Sequence, residues 1–162
     1  MPTLITVALA SDSSQLLGQA RAALTTAEDI TIAGEARGAE QLLHLVRQRR
    51  PTLLLLDLAL PPAGGDAVIA QVRERSPKTR VLAIDDRLDE GEVLRVAKAG
   101  AHGYMLAEAI PAYLPRAVRV MAAREVWFSR KLMGKVVEEL QRLARLQKRA
   151  GVRRGRVSLR SS

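Results

Sequence analysis

The sequence predicts an α/β fold: a doubly wound parallel sheet of five strands, with one extra helix at the C-terminal end. Three observations predict it. Residues Thr52–Gly65 read TLLLLDLALPPAGG, where four leucines run without alternation into Asp57. That pattern suits a strand buried on both faces. Apolar strand-like runs and helical-period segments then alternate five times along the chain with short connections. Right-handed crossovers between parallel strands place the helices of such a chain on both faces of the sheet. Finally, Pro61, Pro62, Gly64 and Gly65 stop the leucine run just past Asp57, so a carboxylate stands at a strand end. In open α/β sheets that edge is where ligands bind. A helix cap or a loop aspartate is the plainer reading of the same residue.

The elements follow in order. Leu4–Ala10 is apolar and strand-like, and Ser11-Asp12-Ser13-Ser14 offers side-chain oxygens to cap a helix. That helix extends to about Ala27, with Leu16, Leu17, Ala20, Ala23 and Leu24 on one face. Ile30–Ala36 alternates as a second strand. Gly38 precedes a helix to about Arg50, which Pro51 ends before the leucine strand. Asp66 to about Arg75 is helical, with Val68, Ile69 and Val72 inward, until Ser76-Pro77. Arg80–Ile84 forms the fourth strand and Asp85-Asp86 ends it. Asp89–Ala99 is a helix with Gly100 as its C-terminal cap. Ala101–Leu106 is the fifth strand and Pro111–Ala123 the fifth helix. Glu125–Ser129 is extended, with Trp127 and Phe128 expected to anchor the chain to the core. Arg130–Gln147 returns to helical periodicity. Its Leu132, Val136, Leu140 and Leu143 belong to a narrow apolar stripe that suits another helix. Ala150–Ser162, rich in Arg, Gly and Ser, is expected to be disordered.

Composition narrows the function. The 162 residues suffice for one ordinary domain and an appendage. There is no cysteine, which excludes disulfides and thiolate metal sites, and the two histidines, His44 and His102, are far apart. Neither has an acidic or hydroxyl partner at catalytic spacing, so both are given surface or cap roles. No apolar run reaches the roughly 20 residues that span a bilayer. No basic segment precedes the first apolar run, so no signal peptide is read. The expectation is a soluble cytoplasmic protein without a membrane partner. Net charge is +9, and its distribution is uneven. From Arg142 onward there are eight Lys and Arg and no acid, while the other 18 bases face all 17 acids. The basicity is a tail property: a solvated linker, or an arm for nucleic acid or an acidic protein surface.

In a five-unit sheet of this kind the ends of the first, third, fourth and fifth strands crowd one crevice. They carry Asp12, Asp57, Asp85 and the Ala107-Glu108 pair. Converging carboxylates repel one another, and a hard cation such as Mg²⁺ relieves that repulsion through oxygen ligands. A carboxylate can also accept a phosphoryl group as a nucleophile. Gly64-Gly65 is read as a turn and not a phosphate-binding loop, since no Lys-Ser/Thr follows. With neither a catalytic base nor a cofactor loop, the chain is not read as an enzyme.

Residues 3–128 resemble the CheY-like receiver domain of two-component response regulators, particularly the NarL/LuxR type of transcriptional regulator. The likeness rests on LLLLDLALPPAGG around Asp57, GEARGAEQLLHLVRQRRP before it, TRVLAI, VLRVAKAGAHGYML and IPAYLPRAVRVMAAREVWFS. It implies a flavodoxin-like receiver fold of strand order 2-1-3-4-5. The domains implied are a receiver at 1–128, a linker or dimerisation helix at 129–149 and a basic tail at 150–162. Asp57 is the phospho-acceptor by this resemblance. Asp12, Asp57 and the backbone carbonyl of Ala59 are the implied Mg²⁺ ligands, holding it weakly. Tyr104 sits where relatives rotate an aromatic ring inward on activation. The implied partners are a histidine kinase or another protein, and a second copy in a homodimer.

Three positions depart from the family pattern. Ser11 stands where a second acid is usual, a mild loss because that acid acts through water. Asp85 replaces a Thr or Ser whose hydroxyl bonds the phosphoryl group. Ala107 replaces a Lys that pairs with it. A phosphoaspartate adds roughly two negative charges, by analogy with other phosphorylated side chains. Here the site has lost its fixed cation and gained a carboxylate. The expectation is therefore a receiver with impaired or phosphorylation-independent switching. The alternative is a stand-alone atypical receiver acting as a protein interaction module, or as a nucleic-acid binder through its tail. NarL-type proteins continue into a helix-turn-helix domain roughly where this chain ends, and nothing after Gln147 has the apolar content for three helices. A lost or truncated effector, through which DNA would be bound, is expected.

Overall fold

In the computed structural model, which describes residues 4–61 and 65–160, five parallel strands pair in the order β2-β1-β3-β4-β5. They are β1 (Ile5–Ala10), β2 (Ile30–Ala36), β3 (Leu53–Asp57), β4 (Arg80–Asp85) and β5 (Gly103–Leu106). Between them run α1 (Ser14–Thr25), α2 (Ala39–Arg49), α3 (Asp66–Arg75) and α4 (Glu90–Ala99). A single 3-10 turn (Ala107–Ala109) and α5 (Ile110–Ala122) follow β5. The chain divides into two compact units after Phe128, and α6 (Arg130–Arg160) forms the second.

The leucine run explains the centre of the sheet. β3 pairs with β1 on one side and β4 on the other, and Leu53 to Leu56 are all buried. Leu53 and Leu55 join Val7, Leu9, Leu82 and Ile84 in the cluster that packs under α1 and α5. Leu54 and Leu56 point to the opposite face, as alternation along a strand requires. Fully burying one such side chain contributes about 1.5–3 kcal/mol, which accounts for a continuous rather than alternating run. α1 packs on α5, and α3 lies between α2 and α4 on the other face, so both sides of the sheet are covered.

Local signals set the boundaries. Ser13 Oγ accepts the Leu16 amide at 3.2 Å to open α1, and Asp89 Oδ1 accepts the Glu92 amide at 3.2 Å to open α4. Gly100 closes α4 with φ +114°, where a Cβ would sit 2.5 Å from the Arg73 guanidinium. Gly65, with φ +68°, precedes α3. Pro62 and Gly64, part of the expected turn, lie outside the described residues.

One expectation is extended and one needs correction. The segment at 125–129 does more than anchor. Trp127 donates its amide to the His102 carbonyl at 3.0 Å, and its own carbonyl accepts the Tyr104 amide at 2.9 Å. This parallel bridge at Gly103 covers the open edge of β5. The disorder expected from Ala150 is also replaced by helix, since α6 continues to Arg160. No proline interrupts it, and arginine is a good helix former, which offsets the cost of Gly151 and Gly155.

His102 is half-buried at the start of β5, and its Nδ1 accepts the Val81 amide at 3.2 Å. Burial first, then the charges of Arg80 and Arg73, hold its imidazole down to about 4. A proton on Nδ1 would also break the bond from Val81. The unfolded chain binds this proton near pH 6.5, the ordinary value for histidine, and the folded chain does not. Stability is therefore full above about pH 6.5 and falls as pH drops towards 4. Urea midpoints measured between pH 7 and 5 are expected to decline for this protein and to flatten in His102→Gln.

Candidate functional site

The strand ends converge as the alternation requires. A cleft of about 390 Å³ opens at the C-terminal edge of the sheet, lined by residues that include Asp12, Asp57, Ala59, Ala107 and Glu108. Asp12 is exposed at the end of β1, while Asp57 closes β3 and is only 6% exposed. A buried carboxylate is costly unless its oxygens are satisfied. Here both are. Ser11 Oγ donates to Asp57 Oδ2 at 2.6 Å, and the Ala59 amide donates to Asp57 Oδ1 at 2.9 Å. Ser11 is fully buried, and the Ser13 amide donates to its oxygen at 3.0 Å. The hydroxyl proton is thereby committed to Asp57.

One member of the expected constellation is placed elsewhere. Asp85 does not line this cleft; Asp86 does. The Asp85 carboxylate is engaged on both oxygens. Tyr104 donates its phenol to Oδ2 at 2.7 Å, and the Asp86 amide donates to Oδ1 at 2.9 Å. The Arg87 carbonyl lies 3.0 Å from the same phenol. Tyr104 is buried, and its phenol is pushed above the usual tyrosine value, by burial first and then by the bond to Asp85. It is therefore a protonated donor throughout the physiological range. The correction has a simple cause: side chains alternate along an extended chain, so consecutive residues at the end of β4 face different ways.

Asp12, Asp57, Asp86 and Glu108 thus meet at one cleft whose lining holds no Lys or Arg. Ala107 contributes only a methyl group there. Among the described residues no three carboxylate or imidazole groups are gathered closely enough to hold a metal by themselves. Asp12, Asp57 and Ala59, the expected ligands, all line this cleft, and oxygen donors are what a hard divalent cation prefers. The Ser11–Asp57 bond was not anticipated from sequence. Its only signal was the departure at position 11, which reads as a lost acid and is in fact a gained donor.

Comparison with known proteins agrees with this geometry. A family model for the response regulator receiver domain matches residues 7–119. The nitrate/nitrite response regulator protein NarL of Escherichia coli K12 is 33% identical over 127 residues, covering 78% of this chain and 59% of its own length. The uncharacterized transcriptional regulatory protein YxjL of Bacillus subtilis is 28% identical over 135 residues, covering 83% of this chain and 62% of its own. The chain thus spans about three fifths of the length of these curated relatives. The receiver domain structure of the putative response regulator NarL from Mycobacterium tuberculosis superposes with a TM-score of 0.71 at 27% identity. It covers 75% of this chain and 98% of that one. A LuxR-family two-component response regulator from Aurantimonas sp. SI85-9A1 reaches 0.75 at 23% identity, covering 85% and 98%, and shares the fold.

The hydroxyl at position 11 can be tested directly. Ser11→Ala leaves a buried carboxylate oxygen without its donor and is expected to cost about 1.5–3 kcal/mol in urea denaturation. Ser11→Asp sets two carboxylates against each other. It is expected to be less stable than the parent in EDTA and to recover more on adding Mg²⁺ than Ser11→Ala, which keeps only the weaker set of Asp12, Asp57 and Ala59.

Proposed function

The chain belongs to the response regulator receiver domain family, and we propose that it is a receiver of the NarL/LuxR type whose switching is impaired in, or independent of, phosphorylation. The observation that carries this reading is the acid-lined cleft whose lining holds no Lys or Arg. A phosphoryl group on Asp57 would add roughly two negative charges beside Asp12, Asp86 and Glu108. A charge-assisted contact from a lysine is worth about 1.5–3 kcal/mol, and Ala107 supplies none.

The switch positions support the same reading. In a phosphate-driven receiver the residue at the end of β4 answers the phosphoryl group, and the aromatic ring on β5 follows. Here Asp85 already accepts the Tyr104 phenol, with no phosphoryl group involved. The ring is held inward by a bond internal to the protein. Asp57 in turn has both oxygens occupied by neutral donors, which lowers its readiness to attack a phosphoryl donor.

Asp12, Asp57 and the Ala59 carbonyl would hold a divalent cation such as Mg²⁺ weakly; when bound it would screen charge at the acceptor. The partners that fit are a histidine kinase or another protein that reads the fixed conformation. A second copy fits the stripe of Leu132, Val136, Leu140 and Leu143. Leu132 and Val136 are already buried, so its contact would fall on the later part, where Leu140 is 45% exposed. Control of transcription would run through a DNA-binding partner or effector region.

The test is phosphorylation itself. The full chain is incubated with Mg²⁺ and acetyl phosphate, and intact mass is followed with Asp57→Asn as the blank. Labelling of Asp57 is expected to be at least about tenfold below that of the Asp85→Thr, Ala107→Lys double variant, the factor that one lost charge-assisted contact implies. Stoichiometric labelling of the parent protein, accompanied by a change in the Tyr104 resonances, would overturn the proposal.

A further inference from the structure

The charge of this protein sits on one element. Of its 26 bases and 17 acids, 11 bases and only two acids fall between Arg130 and Arg160, so residues 1–129 are neutral and the segment of α6 carries the entire +9. Both acids, Glu138 and Glu139, lie in its first half, and Glu139 pairs with Arg142. Beyond them the helix sequence holds no acid at all. Like charges three or four residues apart destabilise a helix. Six such pairs, among them 145–149, 149–153 and 156–160, occur from Arg142 onward, and no acid follows Glu139 to offset them.

The basic residues are also ordered. Arg142, Arg145, Arg149, Arg153, Arg156 and Arg160 recur at intervals of three, four, four, three and four. On a helix of 3.6 residues per turn that spacing sets the six positions on one side, within a sector of about 80° and over roughly 27 Å of axis. All six are arginine, the side chain whose planar fork fits phosphate oxygens two at a time. The apolar positions follow a different plan. The leucine stripe thins after Leu146: of the later apolar positions Val157 falls on its side, while Val152 and Leu159 fall on the opposite one. A helix lying in a membrane surface needs a continuous apolar face beneath its basic one, and this half offers only Leu146, Ala150 and Val157 there, with Arg154 among them.

We propose that the C-terminal half of α6 is a docking surface for double-stranded nucleic acid, engaged through phosphates along the arginine face and without base readout. Regularly spaced phosphates match a regular arginine row better than an acidic protein surface does, and the major groove of a duplex admits an α-helix. The polyanion supplies the charge that the helix lacks. This assignment is independent of how Asp57 behaves, so the two proposals fail separately.

The experiment uses the full chain and a fluorescent mixed-sequence DNA duplex of about two helical turns, followed by anisotropy. Affinity is expected to fall about a thousandfold between roughly 50 and 200 mM salt, as neutralisation of about six phosphates implies. Arg149→Gln with Arg153→Gln should shallow the logarithmic salt slope by about two, while Arg116→Gln with Arg124→Gln leaves it unchanged. Ala150→Pro keeps every charge but breaks the helix, and should weaken binding at least about tenfold, or 1.4 kcal/mol. Equal binding by Ala150→Pro would overturn the proposal in favour of a plain polycation. Equal or tighter binding of polyglutamate or of phosphatidylserine vesicles would overturn it in favour of those partners.

Discussion

The site depends on one constraint: a carboxylate stands at the end of the most buried strand of the sheet. Asp57 is only 6% exposed there, so most of what answers its oxygens must come from the protein. One answer comes from the next loop, through the Ala59 amide, and the other from the neighbouring strand, through Ser11. The second bond ties β1 to β3 at the mouth of the cleft. It also fixes the direction in which the chain leaves β1, since the Ser13 amide bonds the same hydroxyl and Ser13 then caps α1. Strand pairing, helix start and site electrostatics thus share a single hydroxyl.

The same logic organises the adjoining strand ends. Asp85 could have added a further charge to the cleft. Instead its oxygens are taken by Tyr104 and by the Asp86 amide. A buried phenol needs a partner, and a half-buried carboxylate is a strong one. Each group resolves the other's cost. The ring is also held along its backbone, because the Tyr104 amide bonds Trp127 across the covered edge of β5. Freeing the ring would break a charge-assisted bond while its strand stays pinned.

Much of this fold was legible in the sequence because its signals are local. The leucine run, the serine cluster before α1, Asp89 and Gly100 each act within a few residues, and each element of the sheet domain lies close to its expected span. The site was legible only to the level of strand ends. Sequence brought Asp12 and Asp57 to one edge correctly, but it could not say which of Asp85 and Asp86 faces the cleft, because that depends on where β4 stops. It read Ser11 as an absence, since the bond to Asp57 joins residues 46 positions apart. The extent of α6 was misjudged for a different reason. Composition rich in Arg and Gly resembles a tail, and only the periodicity of the arginines carries the helical signal.

The neutral donors around Asp57 and the alanine at position 107 bear on the same charge balance at the cleft. A receiver that accepts phosphate tolerates converging acids because a cation offsets them and a lysine later offsets the product. Without the lysine, an unprotected pair of acids in the apo state would be a cost with no return. A hydroxyl that donates to Asp57, as Ser11 does, avoids that cost. On the reading proposed above, Ser11 and Ala107 belong together, and Asp85 gives Tyr104 an internal partner. On that reading the resting conformation is set by bonds within the folded chain, and the cleft keeps its acidic lining.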